Sequence, residues 1–256
     1  MTAGALTLSP LPAIPLVRPG DDLARLLIAG IDALGAGLES GDVLVVAQKI
    51  VSKSEGRLVD LDGVTPSPRA EEYARLTGKD PRLVEIVLGE SAAVLRHAPN
   101  VMIVEHRRGW IMANAGVDQS NVEPVAGKHH VLLLPEDPDA SCLRLKSRLD
   151  RHFGVEVGVI VNDSFGRAWR NGTVGVALGS AGLPALRDLR GRPDLFGRKL
   201  EITEVGFADE IAAAASLIMG QAAEGRPAIL VRGLAWSEPV GRAADLIRSK
   251  SIDLFR

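Results

Sequence analysis

Val157–Gly179 reads VGVIVNDSFGRAWRNGTVGVALG. It opens as an apolar run, Val157–Val161, of the kind a strand buried on both faces requires. Asn162-Asp163-Ser164 interrupts that run with oxygen donors, and Asp163 is read as ending the strand. Gly166 and Gly172 bracket Arg167, Trp169 and Arg170, and a second apolar strand follows at Val174–Leu178. Hard oxygen ligands beside fixed positive charge, at the end of a buried strand, suit a metal-bound phosphate.

Outward from this stretch, apolar runs recur at Asp42–Ala47 (DVLVVA) and Pro227–Arg232 (PAILVR). Shorter strands are expected at Leu6–Leu8, Val94–Arg96, Val101–Glu105, Trp110–Ala113, His130–Leu134 and Leu200–Glu204. Helices are marked by their ends. Gly20-Asp21-Asp22 opens one that Gly35 and Gly37 stop. Ser67-Pro68, Asp80-Pro81 and Asp137-Pro138 each set a capping side chain before a proline. The last of these helices is expected to reach Phe153 and close at Gly154, and Ala208–Ala223 has high helix propensity broken by Gly220. Strands and helices mix without a regular βαβ beat, so the fold class is α+β and non-Rossmann.

The 256 residues, 46% hydrophobic and 24% charged, have ordinary globular composition. A net charge of -2 supplies no field to gather nucleic acid or acidic membrane. One cysteine, Cys142, excludes internal disulfides and a cysteine-based zinc cage, and the five histidines show no zinc spacing. The N-terminus, with Pro10, Pro12, Pro15 and Pro19, lacks the basic region of a signal peptide. A soluble, cytoplasmic protein is expected.

There is no GxxxxGK[ST] and no GxGxxG at a strand–helix junction, so a nucleotide needs another cradle. Polar loops after apolar strands are the candidates. Asp118 and Asp163 are two carboxylates that folding could bring onto one cation, although residue type alone favours reading them as turn formers. Ser164 reads as a hydroxyl ligand or a turn cap, and Asn121 as a base or ribose contact or a support for its own loop. Lys53 reads as a phosphate contact or a solvated surface charge. Arg167 and Arg170 suit anionic ligands or a neighbouring acid. Gln221 could reach a site from the end of its helix, and Cys142 reads as a buried helix residue.

Five segments then stand in order: IPLVRPGDDL (Ile14–Leu23), DVLVVAQKIVSKSEGR (Asp42–Arg57), NAGVDQSNV (Asn114–Val122), VNDSFGRAWRNG (Val161–Gly172) and ITEVGFADEIAAAASLIMGQ (Ile202–Gln221). Together they resemble the coenzyme F-420:L-glutamate ligases, the gamma-glutamyl ligases of F-420-0, over about Leu11 to Leu234. The resemblance implies a GTP- and divalent-metal-dependent ligase that adds L-glutamate to F-420-0 and then further gamma-linked glutamates. It implies one unit over residues 1–256, built from two interlocked subdomains whose boundary the sequence does not mark, in an intertwined homodimer. Two Mg²⁺ or Mn²⁺ ions per site are implied, with K⁺ as a further cation. Asp118 and Asp163 match ligands of a first ion, and Ser164 and Gln221 ligands of a second. Ile14, Pro15, Leu16, Val17, Gln48, Lys53 and Asn121 match nucleotide-contacting positions. So do Met219, Gly220, Gln221, Ala222, Ala223, Glu224, Gly225 and Arg226.

Lys53 and either Arg167 or Arg170 are expected to hold phosphate or substrate carboxylate oxygens. Gln48 stands where a small hydroxyl residue is expected. The chain stops at Arg256, so the nitroreductase-like domain fused to some actinobacterial relatives is not expected. A ligase acting on a different small acid or cofactor, and a non-catalytic nucleotide-binding assembly subunit, are the competing readings.

Overall fold

The apolar runs build a central sheet, and everything else is hung on its two faces. The computed structural model describes residues 5–120 and 129–254. The first half of the chain runs β1 (Thr7–Pro10), α1 (Leu23–Leu34), β2 (Val43–Ala47), α2 (Gln48–Ser54), β3 (Leu58–Asp60), α3 (Pro68–Thr77) and α4 (Pro81–Gly89). A meander follows, β4 (Ser91–Ala98), β5 (Val101–His106) and β6 (Ile111–Ala113), then β7 (His130–Leu132) and α5 (Pro138–Phe153). The second half is β8 (Gly158–Arg167), β9 (Arg170–Ala181), β10 (Arg187–Asp188), β11 (Glu204–Val205), α6 (Phe207–Met219) and β12 (Ala228–Arg232).

The central sheet has the order β1-β12-β2-β8-β9. Only β2 and β8 pair in parallel, and the other neighbours are antiparallel. Alternation sends Leu44, Val46, Val159 and Val161 to one face, where α1 and α5 contribute Leu27, Ile31, Leu145 and Leu149. Val43, Val45 and Ile160 face the other way, onto Ile211, Ala212 and Ala215 of α6. Burial on both faces is why these strands are continuous apolar runs. Glycines set how near the helices come to β9. A Cβ at Gly179 would stand 2.3 Å from the Pro138 carbonyl carbon, and one at Gly175 would stand 2.5 Å from the Ala212 oxygen.

A separate cluster joins α3 and α4 to the β4–β5–β6 meander through Ala70, Ala74, Val84, Val87, Met102 and Val104. Two short pairs, β3 with β7 and β10 with β11, complete the mixed α+β architecture. The helix ends are those the capping residues announce. Asp22, Ser67, Asp80 and Asp137 accept from the first-turn amides of Arg25, Ala70, Arg82 and Ala140. Gly35, Gly78 and Gly154 close their helices in the left-handed conformation. Cys142 is fully buried on α5. Among the described residues no helix is long and apolar enough to cross a membrane.

Two expectations are corrected. Asp163 does not end its strand: β8 runs on to Arg167, because β9 pairs with it to the hairpin tip, with register shifts after Val161 and after Gly166. What ends near Asp163 is the ladder to β2, whose last pair is Ala47 with Asn162. The strand expected at Leu200–Glu204 shrinks to Glu204–Val205. The preceding chain folds on itself instead, with Leu200 N–H on Arg192 O and the Asp194 carboxylate accepting from Phe196 and Arg198.

Candidate active site at the end of the parallel strand pair

Register gathers most of the candidate segments at one end of the sheet. At the carboxyl end of β2, Ala47 pairs with Asn162 of β8 and its N–H bonds Pro227 O at 2.8 Å. Three pieces of chain therefore start from that end: α2 after β2, the outer half of β8, and the loop between α6 and β12. The Ile14–Val17 segment joins them, because Leu11 N–H bonds Ala228 O at 2.9 Å as β1 leaves the sheet. Gly20 N–H then bonds Ser54 O at the end of α2, at 3.1 Å. Along this segment Leu16 is exposed and Val17 is buried.

Asp118 reaches the site through a sharp turn after β6. Asn114, Ala115 and Gly116 all have positive φ, 51°, 53° and 69°, and Asn114 Oδ1 holds Met102 N–H at 3.1 Å. A Cβ at Gly116 would press on Leu134 and Met112 at 2.8 Å, which is why NAG and not NAA stands there. Beyond the turn, the backbone of Asp118 exchanges two hydrogen bonds with Leu132, at 3.0 and 2.8 Å. Its carboxylate meets Lys49 Nζ at 2.7 Å. Ser120 donates to the same carboxylate from its N–H at 2.7 Å and its hydroxyl at 2.9 Å.

Asp163 lies on the α2 side of β8. Its neighbour Asn162 faces α6, donating Nδ2–H to Met219 Sδ at 3.4 Å, so alternation turns Asp163 the other way. There it feels both Lys49 and Asp118. Burial pushes the Asp163 carboxyl up to about 6; the Ser164 amide and the Lys49 ammonium pull it down, and the Asp118 charge adds to the rise. At Asp118 burial acts in the same direction, but Lys49 and Ser120 outweigh it and hold that carboxyl below its usual value. The structure thus pairs one carboxylate with an ammonium and sets a second carboxylate within electrostatic reach of both.

Ser164, one residue on, faces the α6 side with Asn162. Gln221 follows the end of α6, with its amide turned back to Ser216 Oγ at 3.2 Å. In the loop from Gly220 to Arg226, backbone amides bend onto the Glu224 carboxylate, with Ala222 N–H at 2.8 Å. Amides of Gln221 and Glu224 itself join in holding that carboxyl below its usual value. Such a nest suits any anion. Gln48 is buried at the start of α2 and accepts from Ser52 Oγ at 3.0 Å. Lys53 sits in the last turn of α2, four residues past Lys49 and on the same helix face. Arg167 and Arg170 face each other across the hairpin tip, about 13 Å of strand beyond Asp163. The structure does not bring them to the carboxylates. Asn121 lies outside the described residues.

Sequence reasoning missed Lys49 and Ser120. The available signals were modest: Lys49 shares a face with Lys53, and Ser120 stands two residues after an aspartate, the spacing of an Asx turn. The two carboxylates are of the chemistry a hard divalent cation takes, and an ammonium already sits on Asp118 as a stand-in for positive charge. The Ser164 hydroxyl and the Gln221 amide are not brought to them: Ser164 faces the α6 side and Gln221 turns to Ser216.

Comparison with known proteins identifies the family. The model of the F420-0:Gamma-glutamyl ligase family matches residues 13–233. The coenzyme F420:L-glutamate ligase of Methanopyrus kandleri is 49% identical over 255 residues, covering 98% of each chain. That of Methanothermobacter thermautotrophicus is 45% identical, covering 95% of this chain and 96% of its own. That of Archaeoglobus fulgidus is 42% identical, covering 96% and 95%. The chain belongs to the F420-0:gamma-glutamyl ligase family and is a ligase.

Proposed function

We propose that this ligase joins L-glutamate to F420-0 at the expense of GTP, and then extends the product with further gamma-linked glutamates. The observation that carries the reading is that Asp118, bound to Lys49, lies within electrostatic reach of Asp163, at the end of the sheet where the Ile14–Val17, α2 and Met219–Arg226 segments also start. Family membership supplies the substrates: the relatives it groups are named for joining glutamate to coenzyme F420.

Making an amide from a carboxylate requires a better leaving group than oxide. In this reading a substrate carboxylate oxygen attacks the gamma phosphorus of GTP, an O–P bond forms, and the bond to the bridging oxygen breaks to release GDP. The glutamate amine then attacks the acyl carbon, loses a proton, and phosphate leaves. Bound Mg²⁺ or Mn²⁺, two ions with Asp118 and Asp163, Ser164 and Gln221 as protein ligands and K⁺ as a further cation, would neutralise charge on the transferring phosphoryl group. Ile14–Val17, Gln48, Asn121 and the Met219–Arg226 loop hold the nucleotide, the loop through the amides that now bend onto Glu224. Lys53 and either Arg167 or Arg170 hold phosphate or carboxylate oxygens.

A second copy of the chain completes the assembly. Trp169, Leu195, Phe196, Ile202 and Leu217 are all more than four-fifths exposed, an apolar load that favours a homodimer. Incubation with F420-0, GTP, Mn²⁺ and glutamate tests the reaction, with product mass rising in glutamate-sized steps. Nucleotide binding with no such step would move the assignment to another acid substrate. With both oxygens of the substrate carboxylate labelled, one label passing to phosphate supports the acyl phosphate, and phosphate free of label refutes it.

A further inference from the structure

Asp118 is more crowded than a free metal ligand should be. Its Oδ1 accepts the Ser120 N–H at 2.7 Å; its Oδ2 accepts the Ser120 hydroxyl at 2.9 Å and Lys49 Nζ at 2.7 Å. A carboxylate offers about four acceptor directions, so most of this one is used. Lys49 also donates to Ser120 Oγ at 2.5 Å and lies within 3.4 Å of Ser120 O. The ammonium is therefore seated, not merely near.

A divalent ion on the same Oδ2 would stand about 2.1 Å from it. With Nζ at 2.7 Å, the two cations would be no more than about 5 Å apart, in a partly buried site where like charges repel strongly. One of them has to go. Lys49 can leave: its side chain is 26% exposed, and its carbon stem is flexible enough to swing about α2.

We propose that Lys49 is a resident counter-cation, competing with the divalent ion for Asp118. It occupies Asp118 while no ion is bound and gives up its place when one arrives. The inference rests on the reading of Asp118 and Asp163 as metal ligands. Once displaced, the ammonium remains on the face of α2 that carries Lys53, so an incoming phosphate is its next partner. Ion and nucleotide would then assist each other, because the phosphate gives the expelled lysine an anion to meet.

Mn²⁺ titration of the full chain without nucleotide, followed by electron paramagnetic resonance, tests the competition directly. Lys49→Met is expected to bind Mn²⁺ about tenfold more tightly than the native chain, equivalent to about 1.4 kcal/mol. Lys49→Arg keeps a cation and is expected to bind no more tightly than the native chain. Asp163→Asn separates the two readings: Mn²⁺ held by the native chain and lost in this variant supports the carboxylate site whatever Lys49 does. Equal or weaker binding by Lys49→Met, with that control intact, overturns the competition alone. No binding by any of the chains overturns both.

Discussion

Replacing Asp163 by asparagine should make the metal-free protein more stable. Burial is the first cause of the raised Asp163 carboxyl, and the Asp118 charge adds to it. In the unfolded chain the same group titrates at its ordinary 3.8, against about 6 in the fold. The gap corresponds to about 3 kcal/mol, reduced to about 2–3 kcal/mol because the residue keeps some solvent contact. The sign follows from proton binding. Between the two values the folded chain binds more proton than the unfolded one, so stability falls as pH rises from about 4 to about 6. Below this window the group is neutral in both states and contributes nothing; above it the whole penalty is present. Urea unfolding of the native chain and Asp163→Asn, in chelator, measures the difference at several pH values. The variant should be more stable by about 2–3 kcal/mol at pH 7, with the gain vanishing near pH 4. A gain that is absent, or the same at pH 4 and pH 7, would refute the claim that charge on a buried Asp163 opposes folding. Saturating Mn²⁺ should reverse the order, since only the native chain offers it the second carboxylate.

Gly179→Ala places a methyl 2.3 Å from the Pro138 carbonyl carbon, where the start of α5 crosses β9; a loss of about 3 kcal/mol is expected in thermal or urea unfolding, and a loss below 1 kcal/mol would mean the helix end can give way. Arg170→Ala removes one of two like charges opposed across the hairpin tip. It should leave stability unchanged or raise it by a few tenths of a kcal/mol while raising KM for GTP or the acid substrate several-fold; unchanged KM values would discard Arg170 as an anion-holding group.

The sheet was legible because strands buried on both faces have to be apolar throughout, and DVLVVA and PAILVR can hardly be anything else. Helix starts were legible because Ser67, Asp80 and Asp137 have one local task that one short sequence describes. The length of β8 was not, since its outer half carries polar residues that look like a loop until β9 is laid beside them. The site was legible as segments and illegible as contacts. Lys49 and Ser120 stand 71 residues apart, and no local rule joins them. Asp118 shows why residue type decides so little. It is a turn former, accepting the N–H two residues on, and it is also the carboxylate that holds Lys49. The turn aims the carboxylate, so the bland reading and the functional one describe the same atoms.

That double use extends to the charges of the whole site. A pocket built for a divalent cation and a phosphate contains unpaired charge of both signs, and unpaired charge in partly buried positions is costly. This chain answers from within itself. Lys49 supplies the positive charge on Asp118 and lies within electrostatic reach of Asp163, and Glu224 supplies the negative charge to the amides of its own loop. Under the proposed function each internal partner matches the ligand that would replace it, an ammonium for a metal ion and a carboxylate for a phosphate oxygen. Because both are side chains at the site's edge, releasing them requires rotation about single bonds rather than movement of the sheet. The scaffold can therefore be rigid, as Gly175 and Gly179 demand by bringing α6 and α5 against β9, while the charges at its end are exchanged. On the proposed function, binding affinity would be lowered by the strength of these internal contacts, and the metal-free site would be spared part of the repulsion between its two carboxylates.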